Sequence, residues 1–592
     1  MFDIYYKKND NSVLFKTLEK SEYTDITNPQ NYIPIYNKFF SLSEKNYSKL
    51  NLNHKYHISD IIKKKSYSNY EINIENEGKK IKREVFFKFS PLLDPIKYLS
   101  GKYESYKQER IICLPDLSNN CHKKIIDLNN TAYVDSFFSY LTSRTFHDYK
   151  FLHGLDFYGS FLGLKNNYSI NIAEDLEYLL DTKFFQENKD KLFTVEEGDI
   201  DLFSESDSRT NKKPLVLNEN VELTFDTIND DMFEDVFTLT TENVNKHNKL
   251  NAENIVYMSD ISMNVNKNHK ASNSTDSTCS SRVSNTNSDK SMNNQDNDNV
   301  HSYNGSSDCS SYSSMTEEIL ECKIKCFPSQ IICLEKMDDT LDSLLGDDFD
   351  MDESEDGKSD DDISLDSIVE MDDEEWRSCL FQIIMTLIAY QKMFDFTHND
   401  LHTNNIMYNN TEKKYLFYKY NNIYYKVPTY GRIFKIIDFG RAIYRFKDKI
   451  ICSDSYHPKG DAATLYNCEP YYNENKPVLK PNKSFDLCRL GCSLYDYFID
   501  EVEDPKVVIN PIGKLIVDWC KDDTGKNILY KKNGEERYPD FKLYKMIART
   551  VHNHTPEKQL ERGIFYKYQT AKKKIKKKPI MNIDELPVHF TN

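Results

Sequence analysis

The chain has 592 residues, 39% of them hydrophobic and 29% charged, and a formal net charge of −17; at one domain per ~100–200 residues that is enough for two to four units. Residues 338–375 hold nineteen Asp/Glu and one Lys, so this one segment carries the imbalance and the rest is close to neutral. The composition therefore excludes a globally basic chain, and the acidic total says nothing about the charge of the folded body.

The opening "MFDIYYKKND" has no apolar core of a signal peptide, so no secretory leader is expected. Through residue 190, short aromatic and β-branched runs alternate with polar turns. "REVFFKFS" (83–90) reads as a strand, and "YVDSFFSYLTSRTF" (133–146) has helical spacing of aromatics. "GLDFYGSFLGL" and "NNYSINI" read as two strands, and "AEDLEYLLDTKFFQENKDKLF" as one or two helices. The Ser/Asn/Asp-rich stretch that follows, with "HKASNSTDSTCSS", has almost nothing to bury and is expected to be disordered. "ECKIKCFPSQIICLEKM" (321–337) resumes order as two strands around a turn. A second, acidic insertion around "GDDFDMDESEDGKSDDD" is expected to be flexible. From "EEWRSCLFQIIMTLIAYQKMF" (374–394) onward the pattern is mostly helical. Its longest charge-free run, between Arg377 and Lys392, is too short to span a bilayer, so no membrane is expected. The basic run "AKKKIKKKP" (571–579) reads as a solvated tail, with an anionic-surface or nuclear-import patch as the alternative.

Thirteen cysteines occur without a C-x-x-C pair, which argues against structural zinc and for reduced, mostly buried thiols. Cys488 and Cys492 fall on one helix face and read as core.

The densest chemistry is "FTHNDLHTNNIMY" (396–408), directly after the apolar run of 374–394. Asp400 and Asn405 lie five apart on a loop. Asp438 follows in "IFKIIDFGRA", where an apolar run ends on an acid and Gly440 allows a sharp turn. One carboxylate near an attacking hydroxyl, with oxygen ligands for a hard divalent cation, is the minimal equipment of phosphoryl transfer.

"HNDLHTNN" resembles the catalytic loop of the eukaryotic-type protein kinase superfamily, and "DFG" at 438–440 matches that family's metal-binding motif. "SFDLCRLGCSLYDYF" (484–498) is similar to the helix whose Asp braces that loop, "ICLEKMDDTLDSLL" (332–345) to the hinge, and "VFFKF" (85–89) to the strand bearing the phosphate-binding lysine. With "VPTYGRIFKIIDFGRAIY" and the Asn-, Lys- and Ile-rich composition, the chain resembles the protein-kinase-like proteins of giant DNA viruses. The resemblance implies an α+β, bilobal fold. Residues 1–190 would form a strand-rich N-lobe with an N-terminal extension, 191–320 a disordered insertion, and 321–345 the last N-lobe strands and hinge. Residues 346–373 would be the acidic insertion, 374–560 the helical C-lobe, and 561–592 a tail.

The resemblance also implies roles. Asp400 would be the catalytic carboxylate, Asn405 and Asp438 would bind Mg²⁺, and Lys88 would contact the α/β-phosphates of ATP. Glu335 and Met337 would offer backbone groups to adenine. His398, Phe439, Gly440, Asp486 and Asp135 would support the site, Asp135 as the acidic partner of Lys88 in preference to Glu104 or Glu109. The implied activity is Mg²⁺-dependent phosphorylation of Ser/Thr on protein substrates, with no nucleic acid required, in the host cytoplasm or else the virion or nucleus. A catalytically weak kinase-like scaffold and a small-molecule kinase of the aminoglycoside or choline kinase type are the alternatives.

The pattern departs from the family at four points. Only Gly78 precedes Lys88, so no Gly-rich loop is possible there. A substitute near "IENEGKKIKRE", with Lys79, Lys80 and Lys82, is expected to cover the phosphates. Asn399 replaces the arginine that commonly pairs with a phosphorylated activation loop, so activity is expected not to need phosphate in 441–470. His402 stands where a lysine is usual, which is the small-molecule feature. "CEPYYN" (468–473) stands in for A-P-E.

Overall fold

The computed structural model of the chain describes residues 3–8, 11–118, 120–195, 320–345, 371–499, 508–575 and 577–590. Most of the two expected insertions lies outside these residues. The mixed α+β character expected from the sequence holds.

The main elements of the first part are α1 (Ser12–Leu18), β1 (Ile26–Gln30), β2 (His57–Lys64), β3 (Asn69–Asn76), β4 (Lys79–Pro91), α2 (Thr131–Tyr149), β5 (Phe157–Asn171), β6 (Phe193–Val195) and β7 (Glu321–Glu335). The strands form one antiparallel sheet in the order β1-β5-β7-β4-β3-β2, with β6 also on β7. The two-residue period of a strand sorts its faces. Tyr70, Ile72 and Ile74 of β3 join Val85, Phe87, Ile331 and Cys333 in one core, closed by Leu14 and Leu18 of α1. Lys88, next to Phe87 in β4, therefore belongs to the opposite face. There α2 runs almost wholly buried. The Asn130 carboxamide accepts the Ala132 N–H at 3.0 Å to start α2, and Lys150 ends it in the left-handed region (φ 57°). The chain then passes so close to α2 that a Cβ at Gly154 would lie 2.4 Å from the Thr142 carbonyl.

Two elements are longer than expected. β5 is one strand rather than two, and β7 runs straight through Pro328 with no turn. Proline is tolerated there because β4 ends at Pro91. The Leu92 N–H reaches the Pro328 carbonyl at 2.9 Å, so the missing N–H of Pro328 points to the side where the partner strand has already stopped.

The second part is built on α3 (Asp373–Phe394). A capping box between Asp372 and Glu375 and an acidic first turn start it, and it is buried over nearly its whole length. The helical pattern expected beyond it is interrupted by β8 (Ile406–Asn410), β9 (Tyr415–Tyr420), β10 (Ile423–Pro428), β11 (Arg432–Ile436), β12 (Ile443–Phe446) and β13 (Lys449–Cys452). Helices resume with α4 (Phe485–Phe498), α5 (Pro511–Trp519) and α6 (Phe541–Thr550).

The basic run is no free tail. β14 (Gln569–Thr570) pairs with β10 on one side of it and β15 (Met581–Asn582) with β9 on the other. Ile583, Leu586 and His589 are buried beyond it. Its described lysines stay exposed on that anchored loop.

Cys488 and Cys492 are buried on α4 as expected. Against the expectation of reduced thiols, Cys113 and Cys121 form a disulfide, their Cα atoms 5.5 Å apart. The turn between them is pinned by the His122 N–H on the Arg110 carbonyl (2.8 Å), a proximity no C-x-x-C spacing announces.

No helix among the described residues is long and apolar enough to cross a membrane.

Candidate active site

Lys88 projects from β4 between two acids. Its Nζ lies 2.8 Å from Oδ2 of Asp135, on α2, and 2.9 Å from Oδ1 of Asp438, after β11. Burial alone would push the ammonium down, but the two carboxylates outweigh it and hold its pKa above the ordinary value. Burial pushes Asp135 up against the pull of Lys88, and Asp438 adds to the rise. Asp135 also accepts the Phe439 N–H at 2.9 Å, which ties α2 to the turn after Asp438. Asp438 has φ 58°, a strained conformation for a non-glycine residue. Phe439 is fully buried against Phe138, Phe396 and His398. Gly440 follows because a Cβ there would lie 2.9 Å from the Thr131 methyl.

The loop after α3 is held from beneath by Asp486. Its carboxylate, fully buried at the start of α4, accepts the N–H groups of His398 (2.9 Å) and Asn399 (2.9 Å). His398 Nε2 lies 2.8 Å from the Ile437 carbonyl and its Nδ1 3.3 Å from the Asp400 amide. The ring therefore carries its proton on Nε2. Asn399 sits at φ 65°, which asparagine tolerates better than most residues. Its amide donates to the Arg441 carbonyl (3.1 Å), and its oxygen accepts the Tyr466 hydroxyl (2.8 Å). Neutral hydrogen bonds thus join Asn399 to 441–466.

Asn405 donates through Nδ2 to the Asp400 carbonyl (2.9 Å) and meets His402 Nε2 at 3.1 Å. Its own carbonyl accepts the Ile437 N–H at 3.0 Å, which sets Asn405 beside the residue preceding Asp438. With the Asn405 nitrogen committed, its amide oxygen is the end left for a cation. The side-chain oxygens of Asn405 and Asp438 are hard donors, of the type a small divalent cation takes. Among the described residues no group of three or more His, Cys, Asp or Glu could hold a metal by itself. His402 is pushed down to about 4 by burial, so it is neutral near pH 7 and faces Asn405 as an acceptor.

Asp400 is 4% exposed. Its Oδ1 accepts the Tyr544 hydroxyl from α6 at 2.7 Å, and Arg441 stands 3.7 Å from Oδ2. Burial pushes this carboxyl up, yet Arg441 and the hydrogen bond from Tyr544 help to hold it below its ordinary value. Arg489 of α4 donates to the Tyr544 oxygen at 3.0 Å and braces the pair. Sequence reading missed these three. Arg441 could have been suspected from its place after "DFG"; nothing local marks Arg489 or Tyr544.

One expectation fails, that of the Gly78 turn. Glu335 has its N–H committed, donating to the Asp156 carbonyl at 2.9 Å. Its carboxylate takes the Asp156 N–H (2.7 Å), the Asn409 amide (2.9 Å) and Lys435. Glu335 is a fastener between β7, the α2–β5 connection, β8 and β11. The Met337 side chain, two residues on, is buried, which leaves its expected backbone role toward a ligand open. The turn at Gly78 joins β3 to β4 ten residues before Lys88, roughly 30 Å along an extended strand. Lys79, Lys80 and Lys82 are thus too distant to cover phosphates at Lys88. The turn that does lie beside Lys88 is Lys65–Ser68, between β2 and β3; the Ser68 carbonyl accepts the Phe87 N–H at 2.7 Å.

Comparison of the chain with protein-family models and with curated proteins gave no match.

Proposed function

We propose that the chain is an ATP-dependent phosphotransferase with a bilobal protein-kinase-like fold, moving the γ-phosphate of ATP to Ser/Thr hydroxyls of protein substrates. The observation that carries the reading is the Lys88 bridge between Asp135 and Asp438, beside a catalytic-type loop braced by Asp486. In this reading Lys88 binds the α/β-phosphates, and Asp135 keeps its side chain extended toward them. Asn405 and Asp438 would hold a divalent ion, which would supply neutralisation of phosphate charge when bound. Asp400 orients the acceptor hydroxyl and accepts its proton. A carboxylate held below its usual pKa is a poor base, which suits a loose transition state where positioning matters more than deprotonation. Lys65–Ser68 takes the place of the Gly-rich loop over the phosphates.

A second reading, a catalytically weak scaffold, draws on that same turn. It holds no glycine, and Tyr67 is packed against Phe89, with ring centroids 5.6 Å apart, on the sheet face away from Lys88.

Two measurements decide between the readings. Labelled ATP incubated with the protein and a generic Ser/Thr substrate should give phosphoprotein. Asp400→Asn should reduce the rate ~10²–10⁴-fold, the usual worth of a positioned acid–base group. Mg-ATP at about 100 times its Kd should stabilise the fold by ~2.7 kcal/mol. Absence of both effects would favour the scaffold.

A further inference from the structure

We infer that Asp454 is a positioning residue for phosphoryl transfer: it is a built-in anion that clamps the start of α2 and so fixes Asp135 against Lys88. The inference rests on the phosphotransferase reading and adds a residue outside it.

The β12–β13 hairpin returns the chain so that Ser453–Ser455 meets the first turn of α2. Asp454 is buried there, 7% exposed. Its Oδ1 accepts both the Thr131 N–H (3.0 Å) and the Thr131 hydroxyl (2.8 Å), and its Oδ2 pairs with Lys124. Its own N–H donates to the Asn129 carbonyl at 2.7 Å, so backbone and side chain grip both sides of the helix start. The Ser453 hydroxyl lies 2.8 Å from that of Thr131.

A helix begins with N–H groups that lack intrahelical partners and with partial positive charge, so a buried carboxylate is favourable there. One turn further on is Asp135, which holds Lys88 and the Phe439 N–H. The Thr131 methyl meanwhile rests against Gly440. The first turn of α2 is thus gripped by Asp454 at one end and by Lys88 and Phe439 at the other. Displacing a catalytic group by about 1 Å can cost ~10²-fold in rate. Because the anion is a genetically encoded side chain, and Asn399 joins 441–466 through neutral bonds, the arrangement needs no covalent phosphate.

The test uses the full chain with Asp454→Ala, Asp454→Asn and Thr131→Val. Hydrogen–deuterium exchange is followed in 131–138 and, as an internal reference, in α3. Steady-state kinetics separate kcat from the KM for the protein substrate. Asp454→Ala should speed exchange in 131–138 at least ~10-fold with α3 unchanged, and lower kcat by ~10–10²-fold with the substrate KM unaltered. Asp454→Asn and Thr131→Val, which each keep part of the contact, should fall between. Phosphatase treatment should leave wild-type activity intact. Unchanged exchange in 131–138, equal acceleration in α3, or activity lost to phosphatase would each overturn the proposal. If wild type neither shifts with Mg-ATP nor transfers phosphate, the phosphotransferase reading itself falls, and the catalytic role of Asp454 with it. Exchange at 131–138 would then still report whether Asp454 holds the helix.

Discussion

Lys88 keeps two buried carboxylates compatible, and its removal exposes how much they depend on it. In Lys88→Met, Asp135 and Asp438 would be left with no Nζ between them, and uncompensated buried charge typically costs ~3–5 kcal/mol. The sign of the pH dependence follows from Asp135. Burial already raises its pKa in the folded chain, with Asp438 adding to the rise. A carboxyl raised on folding stabilises below its unfolded pKa, and that contribution is lost as pH rises through the folded value. Without Lys88 the folded value rises further. Lys88→Met should therefore melt well below wild type at pH 7–8, with the gap narrowing as pH falls and Asp135 takes up a proton. Melting curves of both proteins without nucleotide check this, and a gap that is constant with pH would contradict it. At this scale the sequence was informative wherever chemistry is written locally. Asp400, Asn405, Asp438 and Asp486 sit in short motifs, and the structure brings the first three to neighbouring positions and the fourth beneath them. Tyr544 reaches Asp400 across 144 positions, and only tertiary packing could reveal that contact.

At the scale of elements, the long buried helices were legible and several strands were not. α2 and α3 carry apolar spacing over many turns, whereas β8–β11 are short. Their signal was nevertheless present: Asn421 and Asn422 are both at positive φ (49° and 60°) and form the two-residue turn between β9 and β10, as asparagine favours. The alternating aromatics of "YLFYKYNNIYYKVP" flank that turn, and helix expectation masked them. The C-terminal lysine run misled for a related reason. Composition announced a solvated stretch, but the residues after it supply β15 and a buried anchor. Met581, Ile583 and Leu586 are each at most 6% exposed. Lys392 donates to the carbonyls of Ile583 and Asp584 at 2.7 Å each. Burying such an apolar side chain contributes ~1.5–3 kcal/mol. Truncation after Lys578 should thus destabilise the fold by several kcal/mol, read as a lower denaturant midpoint. A truncated chain as stable as the full one would show that the strap adds nothing to the body.

Across the whole molecule, the first and second parts are joined by buried polar contacts that include titratable rings. His153, fully buried just after α2, is the clearest. Its Nδ1 lies 2.7 Å from the Phe434 carbonyl on β11, and its Nε2 lies 2.7 Å from the Tyr418 hydroxyl on β9. Nδ1 donates to the carbonyl, and Nε2 meets a hydroxyl that can donate to it when the ring is neutral. Burial accordingly pushes its pKa down to about 4, against about 6.5 when unfolded. A histidine depressed on folding stabilises fully above its unfolded pKa, and loses that contribution as pH falls toward the folded value. A shift of this size corresponds to roughly 3 kcal/mol. His402, also pushed to about 4, acts in the same direction. The contribution of these two rings should therefore be complete above pH 7 and fall between pH 6.5 and 4. Denaturant titrations at half-unit intervals measure the slope. In His153→Gln, which keeps a donor and an acceptor but does not titrate, the slope over that window should drop by close to one proton, ~1.4 kcal/mol per pH unit. An unchanged slope would mean that His153 titrates alike in the folded and unfolded chain, and that the junction between the two parts does not depend on a neutral ring.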